Sequence, residues 1–274
     1  ILKNLKKLDM GNYKMSYSER CINAEDGQVI FEKFHNMTSL DRANYHIFEE
    51  NIANAFDNKA FMDNIYSNSS FSKSSIGITL NNEIKEDTDT FYTALLNRRS
   101  CREFTCGTIS FKDFSNVLFY GYGPSICGVY TVPSAGGTYP ISLIIVVNDV
   151  ESLEKGIYEY LPMNNTLIPI LLSDYLDPGL ITLNEHFFNS CAFSIHFIGN
   201  PSLICYKYQD RGYRFMNLEA GHIAQNLTLV AIRNSINSVC SGGFLDGEFV
   251  HFLNDISNSH FAHFVSLYEI FFGL

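Results

Sequence analysis

The chain has 274 residues, 46% of them hydrophobic and including 23 Phe and 16 Tyr, so it can fill a core without metals or disulfides. A formal net charge of −10 has the wrong sign for a surface that neutralises phosphates, which argues against a nucleic-acid partner. Seven scattered cysteines with no CxxC pair or Cys/His cluster, no apolar stretch of membrane-spanning length and no signal-peptide pattern lead us to expect a reduced, cytoplasmic protein with no metal site and no membrane partner.

Residues 1 to about 35 read as helical or irregular with mixed charge. Residues 64–75 are polar and of low complexity, as in a linker, and a second polar stretch at 81–89 leads into the core. The expected domains are therefore an N-terminal extension and linker over 1–85 and one folded domain over 86–274. A short helix is predicted at 91–97, N-capped by Asp87, Thr88 or Asp89. Ser110 and Asp113 have capping-box spacing, and Phe111, Phe114, Val117 and Leu118 recur on one helical face until Gly121-Tyr122-Gly123-Pro124 ends it. The β-branched run at 141–147 is too short for a helix and reads as a buried strand. Strands at 156–160 and 166–170 flank Asn164-Asn165, a hairpin turn, and 192–198 is another strand. The longest helix is predicted over 211–235, with Leu218, His222, Asn226, Val230 and Arg233 along one side and Ala224, Leu227 and Ala231 on the apolar side; a strand at 264–272 closes the chain. Helices and strands interleave around at least one antiparallel hairpin, so the expected class is α+β, with a mixed sheet flanked by helices.

Two short segments carry chemistry. Arg98, Arg99, Ser100 and Arg102 put three guanidiniums and a hydroxyl within five residues, a composition that matches phosphate oxygens. A solvated basic patch at a helix C-terminus has the same composition. The small residues of Pro133-Ser134-Ala135-Gly136-Gly137, opening onto the buried strand at 141–147, let a backbone approach a flat ligand closely; an ordinary Gly-rich turn entering a strand is the simpler reading. Gln225 and Asn226 are amides in an otherwise apolar helix and require partners. His222 reads as a packed helix histidine and Cys240 as a small buried hydrophobe.

Six pieces in order make the chain resemble the FMN-dependent nitroreductase superfamily, and within it the SagB-type or microcin-type dehydrogenases of thiazole and oxazole peptides. They are the segments at 98–104, 133–140, 156–160, 207–214 (Lys-Tyr-Gln-Asp-Arg-Gly-Tyr-Arg) and 219–227 (Glu-Ala-Gly-His-Ile-Ala-Gln-Asn-Leu), and Gly242-Gly243-Phe244. The stretch at 34–40 also resembles a motif that precedes the dehydrogenase core in this family. The resemblance implies a nitroreductase-like fold. It implies FMN held by Arg98, Arg99, Ser100 and Arg102 at the phosphate, and by Pro133, Ser134, Ala135, Gly136, Gln225, Asn226, Gly242 and Gly243 elsewhere. It makes Lys207 and Tyr208 the catalytic pair, a base and a relay for the proton that leaves the substrate ring, and Arg211, Tyr213 and Arg214 the substrate-binding or interface residues. The implied reaction oxidises thiazolines and oxazolines of a precursor peptide to azoles, after cyclodehydratase subunits have formed the rings, in a homodimeric enzyme. An NAD(P)H-fed reductase of nitro compounds, enones or dehydroamino acids, and a non-catalytic scaffold subunit, are the alternatives; no nicotinamide-binding signature sets the direction of electron flow.

Overall fold

The structure is a computed structural model and describes residues 30–60 and 90–274. The expectations for residues 1–29, the linker at 64–75, the cap candidates Asp87, Thr88 and Asp89, and the boundary after residue 85 lie outside the described residues.

The strand β1 (Ile141–Val147) is buried along almost its whole length because it is apolar on both faces. Leu143, Ile145 and Val147 enter one hydrophobic cluster, while Ile144 and Val146 enter the other, as the two-residue period of a strand requires. It lies near the middle of a six-stranded sheet with β2 (Gly156–Leu161), β3 (Thr166–Leu172), β4 (Phe193–Gly199), β5 (Asn237–Ser241) and β6 (Val265–Gly273), in the order β3-β2-β1-β4-β6-β5. Every neighbouring pair is antiparallel, which corrects the expected mixed sheet. A continuous apolar run usually marks a parallel strand covered on both faces. Here antiparallel strands meet the same condition, because helices cover both faces of the sheet.

One face carries α4 (Phe111–Tyr122) and the long α7 (Arg211–Arg233), whose Phe114, Val117, Met216, Ile223 and Leu227 join the first cluster. The other carries α5 (Glu185–Ser190) and α8 (Glu248–Ile256), through Phe187, Phe188, Phe249 and Leu253. Before the sheet come α1 (Ile30–Thr38), α2 (Tyr45–Asp57) and α3 (Thr90–Asn97), and α6 (Pro201–Tyr208) lies between β4 and α7.

The expected local signals operate. The Ser110 hydroxyl accepts from the Asp113 N–H at 3.1 Å and caps α4. Asn165 takes a left-handed φ of 47° and closes the β2–β3 hairpin. Helices α2, α5, α6 and α8 and the strand β5 were not expected from sequence; of these, α6 begins where the Asn200 side chain accepts from Ser202 N–H at 3.1 Å and Pro201 takes the first turn. An Asn-Pro start of this kind is a legible helix signal. It moves Lys207 and Tyr208 from an expected strand-to-helix connection to the last turn of a helix.

The N-terminal helices are tied to the body of the domain. Leu40 N–H donates to Asp246 Oδ2 at 2.9 Å, and Arg42 Nε lies 2.9 Å from Glu248 Oε2. No helix among the described residues is long and apolar enough to cross a membrane.

Candidate functional site

The arginine segment is placed by backbone bonds at both ends. Arg98 N–H donates to Ala94 O at 3.0 Å, ending α3, and Cys101 N–H donates to Ser238 O of β5 at 2.9 Å. This brings Arg98, Arg99 and Ser100 to a cleft of about 150 Å³ whose other walls are Gln225 and Thr228 of α7 and Ser238, Cys240 and Tyr268 of the sheet. Arg102 is exposed and does not line this cleft, being past the Cys101 anchor. Cys240 is half-buried against the core, and burial raises its thiol while the Tyr268 hydrogen bond and the Arg98 charge act the other way. Burial pushes the Tyr268 hydroxyl up to about 12.

Asn226, one residue along α7 from Gln225, points elsewhere. Its amide donates to Gly121 O and Thr131 O, both at 3.4 Å, and so secures the approach to the Pro133 loop instead of lining the arginine cleft. His222 is exposed, not packed as the sequence suggested, because it lies on the outer face of α7.

The small-residue loop forms a single turn of 3₁₀-helix at Ala135–Gly137, with φ of 61° at Gly136 and 66° at Gly137. Two consecutive left-handed residues require glycine for steric reasons. Ser134 donates its hydroxyl to Glu219 Oε2 at 2.5 Å and accepts from Tyr139 N–H at 2.9 Å. Onto this loop comes the end of α6: Lys207 Nζ donates to Gly136 O at 3.3 Å. A Cβ at Gly136 would collide with Lys207 Nζ and stand 2.5 Å from Tyr208 Oη. The loop and the Lys-Tyr pair, 71 residues apart in sequence, therefore meet at one point.

Arg211, Tyr213 and Arg214 begin α7 and line an apolar groove of about 780 Å³ with Ile30, Phe31 and Phe34 of α1. Tyr213 stacks on Phe31 with ring centroids 5.8 Å apart, and its hydroxyl lies 2.9 Å from His35 Nδ1. The stretch at 34–40 thus packs on the segment at 207–214. Gly242 and Gly243 follow β5. A Cβ at Gly242 would meet nothing within 4 Å, and Gly243 O accepts from Asn184 Nδ2 at 2.7 Å.

Sequence reasoning missed the buried acids that support these loops. Glu219 falls within the buried stripe of α7, between Met216 and Ala220, and an acid in an apolar stripe was the available signal. Burial raises its carboxyl to about 7, against the lowering effect of the Ser134 hydrogen bond. Glu269 of β6 is also fully buried and is raised to about 8 by burial, although Thr182, Asn184 and Ser241 hydrogen bonds oppose the shift. Its Oε1 accepts from Asn184 Nδ2 at 2.7 Å, the same amide that holds Gly243, and its Oε2 lies 3.4 Å from His196 Nδ1. No grouping of His, Cys, Asp and Glu that could hold a metal ion occurs among the described residues.

Along α7, Glu219 beneath the loop and Gln225 in the arginine cleft are separated by about 9 Å of helix rise. A guanidinium-rich cleft, an open glycine-lined loop and a helix linking them define an α+β domain suited to a flat, phosphorylated cofactor. Residues 95–262 match the model of the Nitroreductase family, and the chain belongs to that family. FMN is the cofactor typical of it. The donor set fits that group: guanidiniums for a phosphate, and glycine backbone for the close approach of a ring.

A protein of Methanocaldococcus jannaschii provisionally named a nitroreductase is 34% identical over 156 residues, covering 56% of this chain and 79% of that protein. Among solved structures, a provisionally named nitroreductase of Anabaena variabilis superposes with a TM-score of 0.58 at 24% identity over 67% of this chain. The chain spans only 37% of the length of that Anabaena protein. A chain of the E. coli microcin synthetase McbBCD complex with truncated pro-MccB17 bound superposes with a TM-score of 0.56 at 16% identity, covering 87% of this chain and 95% of that one. At these identities the solved structures show the shared fold.

Proposed function

We propose that this protein is an FMN-dependent dehydrogenase that oxidises thiazolines and oxazolines of a ribosomally made peptide to thiazoles and oxazoles. The observation that carries the reading is the meeting of Lys207 and Tyr208 with Gly136 on the small-residue loop. The fold shared over most of its length with a chain of the E. coli microcin synthetase complex, whose structure contains a truncated pro-peptide, supports a peptide substrate.

Arg98, Arg99 and Ser100 would hold the FMN phosphate, and Pro133, Ser134, Ala135, Gly136, Gly242 and Gly243 would offer backbone to the ring. When bound, FMN supplies the acceptance of a hydride. The protein supplies the other half of the oxidation, since aromatising an azoline removes a proton as well as a hydride. Lys207 Nζ and Tyr208 Oη converge beside the loop, so one takes the proton and the other holds or relays it. Arg211, Tyr213 and Arg214, on the apolar groove, would bind the peptide beside the ring being oxidised. The reading includes a cytoplasmic homodimer working with cyclodehydratase subunits.

The test is mass spectrometry of an azoline-bearing peptide incubated with the flavin-loaded protein. Oxidation removes about two mass units per ring, the two hydrogens of a two-electron step. An unchanged peptide with consumption of NAD(P)H would overturn this reading in favour of a nicotinamide-fed reductase. The nitroreductase name of the M. jannaschii relative favours that second reading.

A further inference from the structure

One buried side chain holds the Ser134 hydroxyl that closes the Pro133–Gly137 loop onto Tyr139. Glu219 is 1% exposed and sits where α7 otherwise presents Met216, Ala220 and Ile223 to the core. Its Oε2 accepts the Ser134 hydroxyl, and the same Ser134 oxygen accepts the N–H of Tyr139, which closes the loop with a φ of 43°. The second carboxyl oxygen, Oε1, is buried without a hydrogen-bond partner. Leaving such an atom unpaired costs roughly 1–3 kcal/mol, so packing alone does not account for an acid at this position.

The groups that interact with the carboxyl are Ser134 of the loop, Tyr130 before it and Tyr122 of α4. Tyr130 and Tyr139 touch ring to ring at 4.1 Å, and Tyr122 and Tyr130 at 5.0 Å. Burial and the Glu219 charge both push the Tyr122 and Tyr130 hydroxyls up, and the cation of Lys207 lies across the loop on Gly136 O. An ionised acceptor makes a stronger hydrogen bond than a neutral one. The grip on Ser134 therefore tightens when Glu219 loses its proton.

We propose that Glu219 is a positioning residue: through Ser134 its carboxyl sets the shape of the Pro133–Gly137 loop, and thereby the affinity of the site for FMN. The role rests on the flavin reading for its second half only; the first half concerns the loop itself.

Hydrogen exchange at the Tyr139 amide, corrected for the intrinsic pH dependence, reads the loop directly in the full chain with and without FMN. Losing a hydrogen bond to a charged acceptor should lower protection in Glu219→Ala about tenfold or more. Glu219→Gln should keep most of the wild-type protection at pH 6, and should lack the rise that wild type shows between pH 6 and 8. In parallel, FMN titration should show about tenfold weaker binding in Glu219→Ala. Arg98→Ala should weaken FMN while leaving Tyr139 protection unchanged. Wild-type Tyr139 protection in folded Glu219→Ala overturns the proposal. If that variant does not fold, Glu219→Leu, which fills the same space with apolar atoms, decides on the same criterion. If the wild-type protein binds no FMN, the flavin reading fails, and Tyr139 protection alone still decides the role of Glu219 in the loop.

Discussion

Replacing Gly136 with alanine adds a single methyl group at the point where the loop meets Lys207 and Tyr208, the pair proposed to move the proton. The residue holds a φ of 61°, and left-handed backbone costs a residue with a Cβ about 1–2 kcal/mol. Part of this, about 0.4–1 kcal/mol, is offset because alanine stiffens the unfolded chain. The net loss of about 1 kcal/mol lowers the melting temperature by roughly 2–4 °C for a domain of this size. The new methyl would collide with Lys207 Nζ and lie 2.5 Å from Tyr208 Oη. Both are terminal atoms of side chains, so they move aside more cheaply than backbone would, and the fold survives. Moving a catalytic group by about 1 Å costs on the order of a hundredfold in rate. Gly137→Ala is the matched control: its φ is 66°, but its Cβ would meet nothing within 4 Å. Thermal melts and single-turnover oxidation of an azoline peptide, followed by mass, measure the two effects separately. Both variants should melt slightly below wild type, and only Gly136→Ala should lose turnover. Equal turnover in the two flavin-loaded variants would refute the placement of Lys207 and Tyr208 at the reacting centre.

Lys207→Ala and Tyr208→Phe should each retain FMN and lose about a hundredfold in azoline oxidation, with a double variant no worse than the weaker single one if the two form one relay; full oxidation by the flavin-loaded double variant would make the pair structural. Because Arg98 lines the cleft and Arg102 does not, Arg98→Ala should lower FMN occupancy strongly and Arg102→Ala little, as read from the flavin absorbance of the purified proteins. Glu269 is raised from 4.5 to about 8 on folding, so its contribution is intact below about pH 4.5 and is lost as pH rises towards 8, on the order of a few kcal/mol. Neighbouring His196 is lowered to about 3 by burial and acts in the opposite sense, losing stability as pH falls below its ordinary 6.5. Denaturant melts should therefore show greatest stability in mild acid, and Glu269→Gln should flatten the alkaline side; an unchanged alkaline slope would show that the buried carboxyl is not the cause. Light scattering should give a dimer for the flavin-bearing protein, and an active, flavin-bearing monomer would refute that part of the reading.

Local chemistry makes much of the fold legible in the amino-acid sequence. The α4 cap at Ser110, the hairpin at Asn165, the buried run of β1 and the long α7 each depend on residues within a few positions of one another. The arginine cluster and the glycine loop stand out in sequence because guanidiniums match phosphate oxygens and glycine admits close backbone approach, whereas the Lys-Tyr pair stands out only through the family resemblance. Sheet pairing beyond that hairpin is not legible: β1 is apolar on both faces whether its neighbours run parallel or antiparallel, and only the connections between strands choose. Nor does sequence separate Gln225 from Asn226, since a helix turns about 100° per residue and sends adjacent side chains to different walls. The convergence of Lys207 on Gly136, and of Ser134 on Glu219, spans 71 and 85 residues. Contacts over such distances come from packing α6 and α7 against the sheet, so tertiary structure alone decides which acid supports the loop and which side chains meet it.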